Sequence, residues 1–168
     1  MSNATAHTGG LWWWFKRLLS GKPHVEIGGY AEGDTVPDVY LRRWYLIPRN
    51  RRLNIYLHQF LRDDDDRALH DHPWNSLSFL IRGQYREVVD VYMGKVTANT
   101  YSAPAIIKRT AEHRHRLELL DGKPAWTIFI TGPKRRTWGF WCPKGFVPWH
   151  EFTAGPDGQH IGKGCGDG

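Results

Sequence analysis

Two His-x-His pairs, His70-Asp71-His72 and His113-Arg114-His115, each run into a short apolar stretch. No other feature of the chain constrains its fold as much. Side chains alternate along a β-strand, so histidines one residue apart point to the same side. Each pair therefore offers two imidazoles to one region of space. Two such pairs on separate strands of one small domain predict a transition-metal site inside a β-barrel. At 168 residues the chain is one domain with room for a real core.

The remaining pattern beyond residue 24 is also β. Strand candidates are Val39 to Ile47, Leu53 to Leu61, Ser76 to Ile81, Tyr85 to Tyr92 and Val96 to Ala103. They continue with Ala105 to Lys108, His113 to Leu120, Trp126 to Thr131, Thr137 to Trp141 and Phe146 to Phe152. Gly and Pro punctuate them, at Pro48, Gly83, Gly94, Pro104, Gly122-Lys123-Pro124, Gly132-Pro133 and Pro143-Lys144-Gly145. Alternation over 53–61 puts Leu53, Ile55, Leu57 and Leu61 on one face. Over 113–120 it puts His113, His115, Leu117 and Leu119 on one face and Arg114, Arg116 and Glu118 on the other. Many short strands with almost no helix predict an all-β sandwich or closed barrel.

One helix is expected, short and amphipathic, over Trp12 to Leu19 and closed by Ser20-Gly21-Lys22-Pro23. Its aromatic surface predicts docking on the barrel or in a homodimer interface rather than on a membrane. The expected organisation is a tail and helix over 1–23, a barrel over 24–153 and a disordered Gly-rich tail over 154–168.

The formal charge of +6 and pI near 9.5 are spread over scattered basic residues. With no recognition helix and no aromatic-basic stripe, they predict a solvated basic surface and no nucleic-acid partner. No apolar run approaches the roughly 20 residues of a membrane span, and the N-terminus lacks the form of a signal peptide. Cys142 and Cys165 are too few for a disulfide framework, and Cys165 lies in the Gly-rich tail, so no bridge is expected. These readings point to the cytoplasm. Asp63 to Asp66 reads as a solvated turn.

The His70-x-His72 segment resembles the first motif of the cupin superfamily, whose fold is a double-stranded β-helix of the jelly-roll type. That motif reads His-x-His, three or four residues, a Glu, six residues and a Gly. Here Ser76 stands at the glutamate position, Gly83 at the glycine, and Asp64 where a glycine should precede the motif. The histidine of the second cupin motif falls on His113-x-His115, without the usual Pro-x-Gly lead-in or trailing Asn. The longer string around Leu57-His58, Leu69 to Trp74, Thr131-Gly132-Pro133 and Trp138-Gly139-Phe140 is similar to small bacterial and phage cupins, over residues 40 to 152.

The resemblance implies a cupin-type barrel and a divalent metal, Fe2+ first, with Zn2+, Ni2+ or Mn2+ as alternatives and no organic cofactor. It implies ligands His70, His72 and one or both of His113 and His115. His115 is preferred because it runs directly into the regular strand. Without the glutamate, up to three coordination positions stay open, as in the three-histidine thiol dioxygenases. The expected function is that of a non-haem iron dioxygenase-type enzyme on a small anionic or thiol substrate. The alternative is a non-catalytic cupin module that binds a sugar or nucleotide-sugar.

Tyr85 and Glu87 share a face after Gly83 and are candidates for the pocket wall. Glu87 either accepts a hydrogen bond from a ligand imidazole or faces solvent. Arg116 or Arg109 is the candidate for holding a substrate carboxylate. Asp71 should point away from the metal and bond a backbone N–H. His58 reads as a packed or surface group. Trp126, Trp138, Trp141 and Trp149 read mostly as core, with one or two walling the pocket.

Overall fold

The computed structural model describes residues 10–29, 38–64, 68–92, 95–154 and 160–166. Helix α1 (Leu11–Leu19) precedes strands β1 (Val25–Gly29), β2 (Asp38–Tyr45), β3 (Asn54–Phe60), β4 (Leu69–His70), β5 (Ser76–Arg82) and β6 (Gln84–Tyr92). Then follow β7 (Lys95–Ser102), β8 (Ala105–Arg109), β9 (His115–Leu119), β10 (Ala125–Thr131), β11 (Gly139–Cys142) and β12 (Gly145–Pro148). The short helix α2 (Trp149–Phe152) and the pair β13 (Thr153–Ala154) and β14 (His160–Ile161) come last.

The strands form two antiparallel six-stranded sheets, ordered β1-β2-β3-β10-β5-β8 and β12-β11-β4-β9-β6-β7. From β3 to β11 the chain changes sheet at every connection except the β6–β7 hairpin. That alternation is the jelly-roll path, and with α1 it is the all-β architecture expected from the sequence. Gly83 makes one of the crossings possible. Its φ of +85° is left-handed, and a Cβ there would sit 2.7 Å from the Pro124 carbonyl oxygen.

Three apolar clusters stabilise the barrel. Leu41, Phe60, Leu80, Tyr85, Ile107, Leu117 and Leu119 form the largest. Ala68, Phe140, Cys142 and Phe152 form a second. Tyr45, Tyr56 and Phe129 form a third, against which Trp14 of α1 packs. The indole N–H of Trp14 donates to the Tyr45 carbonyl at 2.8 Å, so one face of α1 docks on the barrel.

Alternation alone leaves the inward face of β3 open, and two expectations change. On β3 the buried residues are Tyr56, His58 and Phe60, the face opposite Ile55 and Leu57. The strand expected over Phe146 to Phe152 stops at Pro148, and Trp149–Phe152 is helical. Proline has no N–H for a sheet ladder and its fixed φ suits a helix start. Cys142 and Cys165 are joined in a disulfide, and β14 pairs with β13, so the described part of the tail is tied to the barrel.

The acidic turn also differs where it is described. The Asp64 carboxylate is buried and accepts the Leu117 N–H at 2.6 Å, while Asp63 accepts that of Leu119 at 2.6 Å. These carboxylates satisfy backbone donors of β9 beyond its single paired position with β4, His70 opposite His115. Asp65 and Asp66, like Met93 and Gly94, lie outside the described residues.

Candidate metal centre

Strands β4 and β9 of the second sheet lie side by side with His70 directly opposite His115. After His70 the chain leaves the strand, and the buried Asp71 fixes its exit. Asp71 accepts hydrogen bonds from the Gly139 N–H at 3.0 Å, the Arg136 guanidinium at 2.6 Å and the Trp141 indole at 3.1 Å. The expectation that Asp71 points away and bonds backbone therefore matches the geometry. With Asp71 anchored outward, His70 and His72 both turn inward.

The rings of His70, His72 and His115 form a near-equilateral triangle, with centroids 4.9 to 5.2 Å apart. One nitrogen of each lies within 4.8 Å of the others. His72 Nε2 and His115 Nε2 are 3.4 Å apart. An ion with bonds of about 2.1 Å sets its nitrogens about 3.0 to 3.4 Å apart, so this separation suits one. Burial holds the His72 and His115 imidazoles well below the ordinary histidine pKa, and the nearby charges of His70 and Arg109 push the same way. Both rings are therefore neutral at pH 7, the form that donates a lone pair to a metal. The donor set suits a divalent transition metal: three imidazoles with no carboxylate among them.

His115 uses its other nitrogen differently. Its Nδ1 lies 3.3 Å from Glu87 Oε1, too oblique for a formed hydrogen bond. Glu87 is buried and receives Arg109 Nε at 2.6 Å and His113 Nε2 at 3.2 Å. Burial opposes its ionisation, but the hydrogen bonds from His113 and Arg109 and the Arg109 charge bring its pKa below the ordinary value. Arg109 also donates to Ser78 at 3.0 Å and to the Tyr85 hydroxyl at 3.3 Å.

The structure thus brings His70, His72 and His115 together and places Glu87 behind them, reached through its contact with Arg109. His113 lies one step outside. Its side chain is 33% exposed and faces Glu87, forming with Glu87 and His115 a second group of ligand atoms within reach of one ion. Tyr85 is buried and engaged by Arg109. Arg109 itself is buried, and each of its three nitrogens already meets one of Glu87, Ser78 and Tyr85. Arg116 sits on the other face of β9 from His115 and pairs with Glu118 at 2.8 Å.

Sequence reasoning missed the setting of His58. It is buried, and its Nε2 accepts Arg43 Nε at 2.8 Å. Its cross-strand neighbour Thr127 is buried with an unpaired hydroxyl, as are Ser76 and Thr131. Ser76 and Ser78 on β5, and Thr127 and Thr131 either side of Phe129 on the inward face of β10, are the signal that marks this polar interior. Trp74, Trp138 and Phe129 surround His72, at ring separations of 6.2 to 6.3 Å.

No protein-family model matches the chain, and no curated protein matches it by sequence. Among solved structures, HppE in its iron(II) form is similar with a TM-score of 0.47 and 17% identity, over 55% of this chain and 51% of that one. An oxalate decarboxylase variant from Bacillus subtilis gives 0.49 and 18%, over 74% and 31%. The DMSP lyase DddQ from Ruegeria pomeroyi gives 0.47 and 13%, over 60% and 52%. The chain spans about half of two of these structures and a third of the other.

Proposed function

We propose that this protein is a metal-dependent enzyme of the non-haem iron dioxygenase type, acting on a small anionic or thiol-bearing substrate. His70, His72 and His115 would hold Fe2+. The observation that carries the reading is the triangle of three imidazoles with Ser76, not a carboxylate, at the cupin glutamate position. Three protein ligands fill half of an octahedral ion, which leaves positions for substrate and O2. When bound, such an ion supplies Lewis-acid and one-electron chemistry.

The chain's own residues do the rest. Glu87 lies against His115 Nδ1, which favours the proton on that nitrogen and leaves Nε2 to coordinate. Arg109 fixes Glu87. Asp71 sets the path between His70 and His72, and the rings of Trp74, Trp138 and Phe129 keep water from the flank of His72.

Titration of the Fe2+ or Co2+ protein with azide tests the open positions. The wild type should bind azide with a spectral change. Ser76→Glu should bind the metal more tightly and weaken azide binding about tenfold or more, because a fourth protein ligand closes the site. A wild-type protein that holds metal but binds no small anion would contradict the enzyme reading and favour a ligand-binding barrel with a structural ion.

A further inference from the structure

Docking explains only half of α1. Trp13 and Trp14 turn toward the barrel, but Leu11, Trp12, Phe15 and Leu19 remain 72%, 66%, 43% and 71% exposed. At about 100° per residue these four fall on one continuous arc of about 100°, with Lys16 at its edge. The Lys16 ammonium lies 5.1 Å from the Trp12 ring centroid. The segment from Leu11 to Pro23 contains Lys16, Arg17 and Lys22 and no acidic residue.

A second exposed apolar and cationic element lies beside it. Trp14 bonds the Tyr45 carbonyl at the end of β2, and the Arg49 guanidinium lies 5.6 Å from the Tyr45 ring centroid. The hairpin tip that follows presents Arg49, Arg51, Arg52 and Leu53, all exposed, with Leu53 at 44%. Asn50 fixes the tip by accepting the N–H groups of Arg52 and Leu53, at 2.9 and 3.0 Å.

We propose that α1 and the β2–β3 hairpin tip form a platform that seats this protein on an anionic bilayer surface. Trp, Phe and Leu enter the headgroup boundary while flanking Lys and Arg meet anionic lipid, the physics of an interfacial helix. At nine residues α1 is too short to span a bilayer and lies in its plane. The homodimer expected from the sequence fits the charge less well. Two copies of the stripe would bring Lys16, Lys22, Arg49, Arg51 and Arg52 of each toward those of the other with no acidic partner on the platform.

Co-sedimentation with vesicles tests the platform. One set is phosphatidylcholine alone and the other contains about a third phosphatidylserine. The wild type should partition onto the anionic vesicles at low salt at least about tenfold more strongly than onto the neutral ones, with a blue shift of tryptophan emission. Arg51→Glu with Arg52→Glu should weaken binding about fivefold or more per cation removed. Trp12→Glu with Phe15→Glu should abolish it. These side chains are exposed, so circular dichroism and melting temperature should not change. Failure of the wild type to bind anionic vesicles would overturn the proposal, as would unchanged binding by the Trp12/Phe15 variant. A solution dimer split by that variant, with no vesicle binding, would assign the stripe to a second copy instead.

Discussion

The two His-x-His pairs have the same spacing and opposite outcomes. Both His70 and His72 reach the centre, whereas of His113 and His115 only the second does. The difference lies in what happens between the histidines. Asp71 is buried and held by three donors from β11 and the Arg136 loop, so the chain is fixed as it turns away from β4. Arg114 is half exposed, stacked on Trp141 and paired with Asp90 at 3.0 Å, and β9 begins only after it. Alternation relates two side chains only while both belong to one regular strand. Outside it, the anchoring residue decides direction.

The largest effect expected from this contrast is at His72. His72→Ala should lower divalent-metal affinity by about a hundredfold or more with little change in melting temperature, because the apolar clusters do not depend on the ion. Equilibrium dialysis against Co2+ reads the first and calorimetry the second. Full metal retention in the variant would place the site elsewhere.

Asp71→Ala should come next and act differently. It strands the Gly139 N–H, the Trp141 indole and Arg136, and should cost about 3 kcal/mol of stability in denaturant unfolding. Metal affinity should fall as well, since the path joining the two ligands is loosened. A variant as stable as the wild type would mean that Asp71 does not fix the turn.

Glu87→Gln sharpens the comparison from the His115 side. It retains the shape but removes the charge that faces His115 Nδ1 and Arg109. Metal affinity should drop about tenfold to a hundredfold. An unchanged affinity would show that Glu87 serves Arg109 alone.

The sequence made the barrel legible because its turns carry Gly and Pro and its strands are short. Gly83 is a clear instance, since its left-handed φ and the approach of Pro124 both exclude a side chain. The meeting of His70, His72 and His115 was legible from the two His-x-His pairs and the cupin resemblance, although parity did not choose between His113 and His115. The inward face of β3 was not. An apolar-face rule selects Ile55 and Leu57, but this interior is lined by Tyr56, His58 and Phe60. A site-bearing barrel inverts the usual signal. The Cys142–Cys165 bridge was illegible for another reason: residues 23 apart in sequence meet only because α2 and the β13–β14 pair fold the tail back. The Arg109–Glu87 pair was hidden among many arginines, because charge alone does not reveal which one is buried.

Titration of metal-free protein with Co2+, followed by visible absorption, tests the central claim most directly when His113→Ala and His115→Ala are compared with the wild type. The claim is that His70, His72 and His115 form the ligand set and that His113 stands outside it. The wild type should take up one ion per chain. His113→Ala should keep that stoichiometry with affinity reduced by about threefold at most, while His115→Ala should lose the spectrum altogether. Loss of Co2+ binding in His113→Ala with retention in His115→Ala would contradict the account.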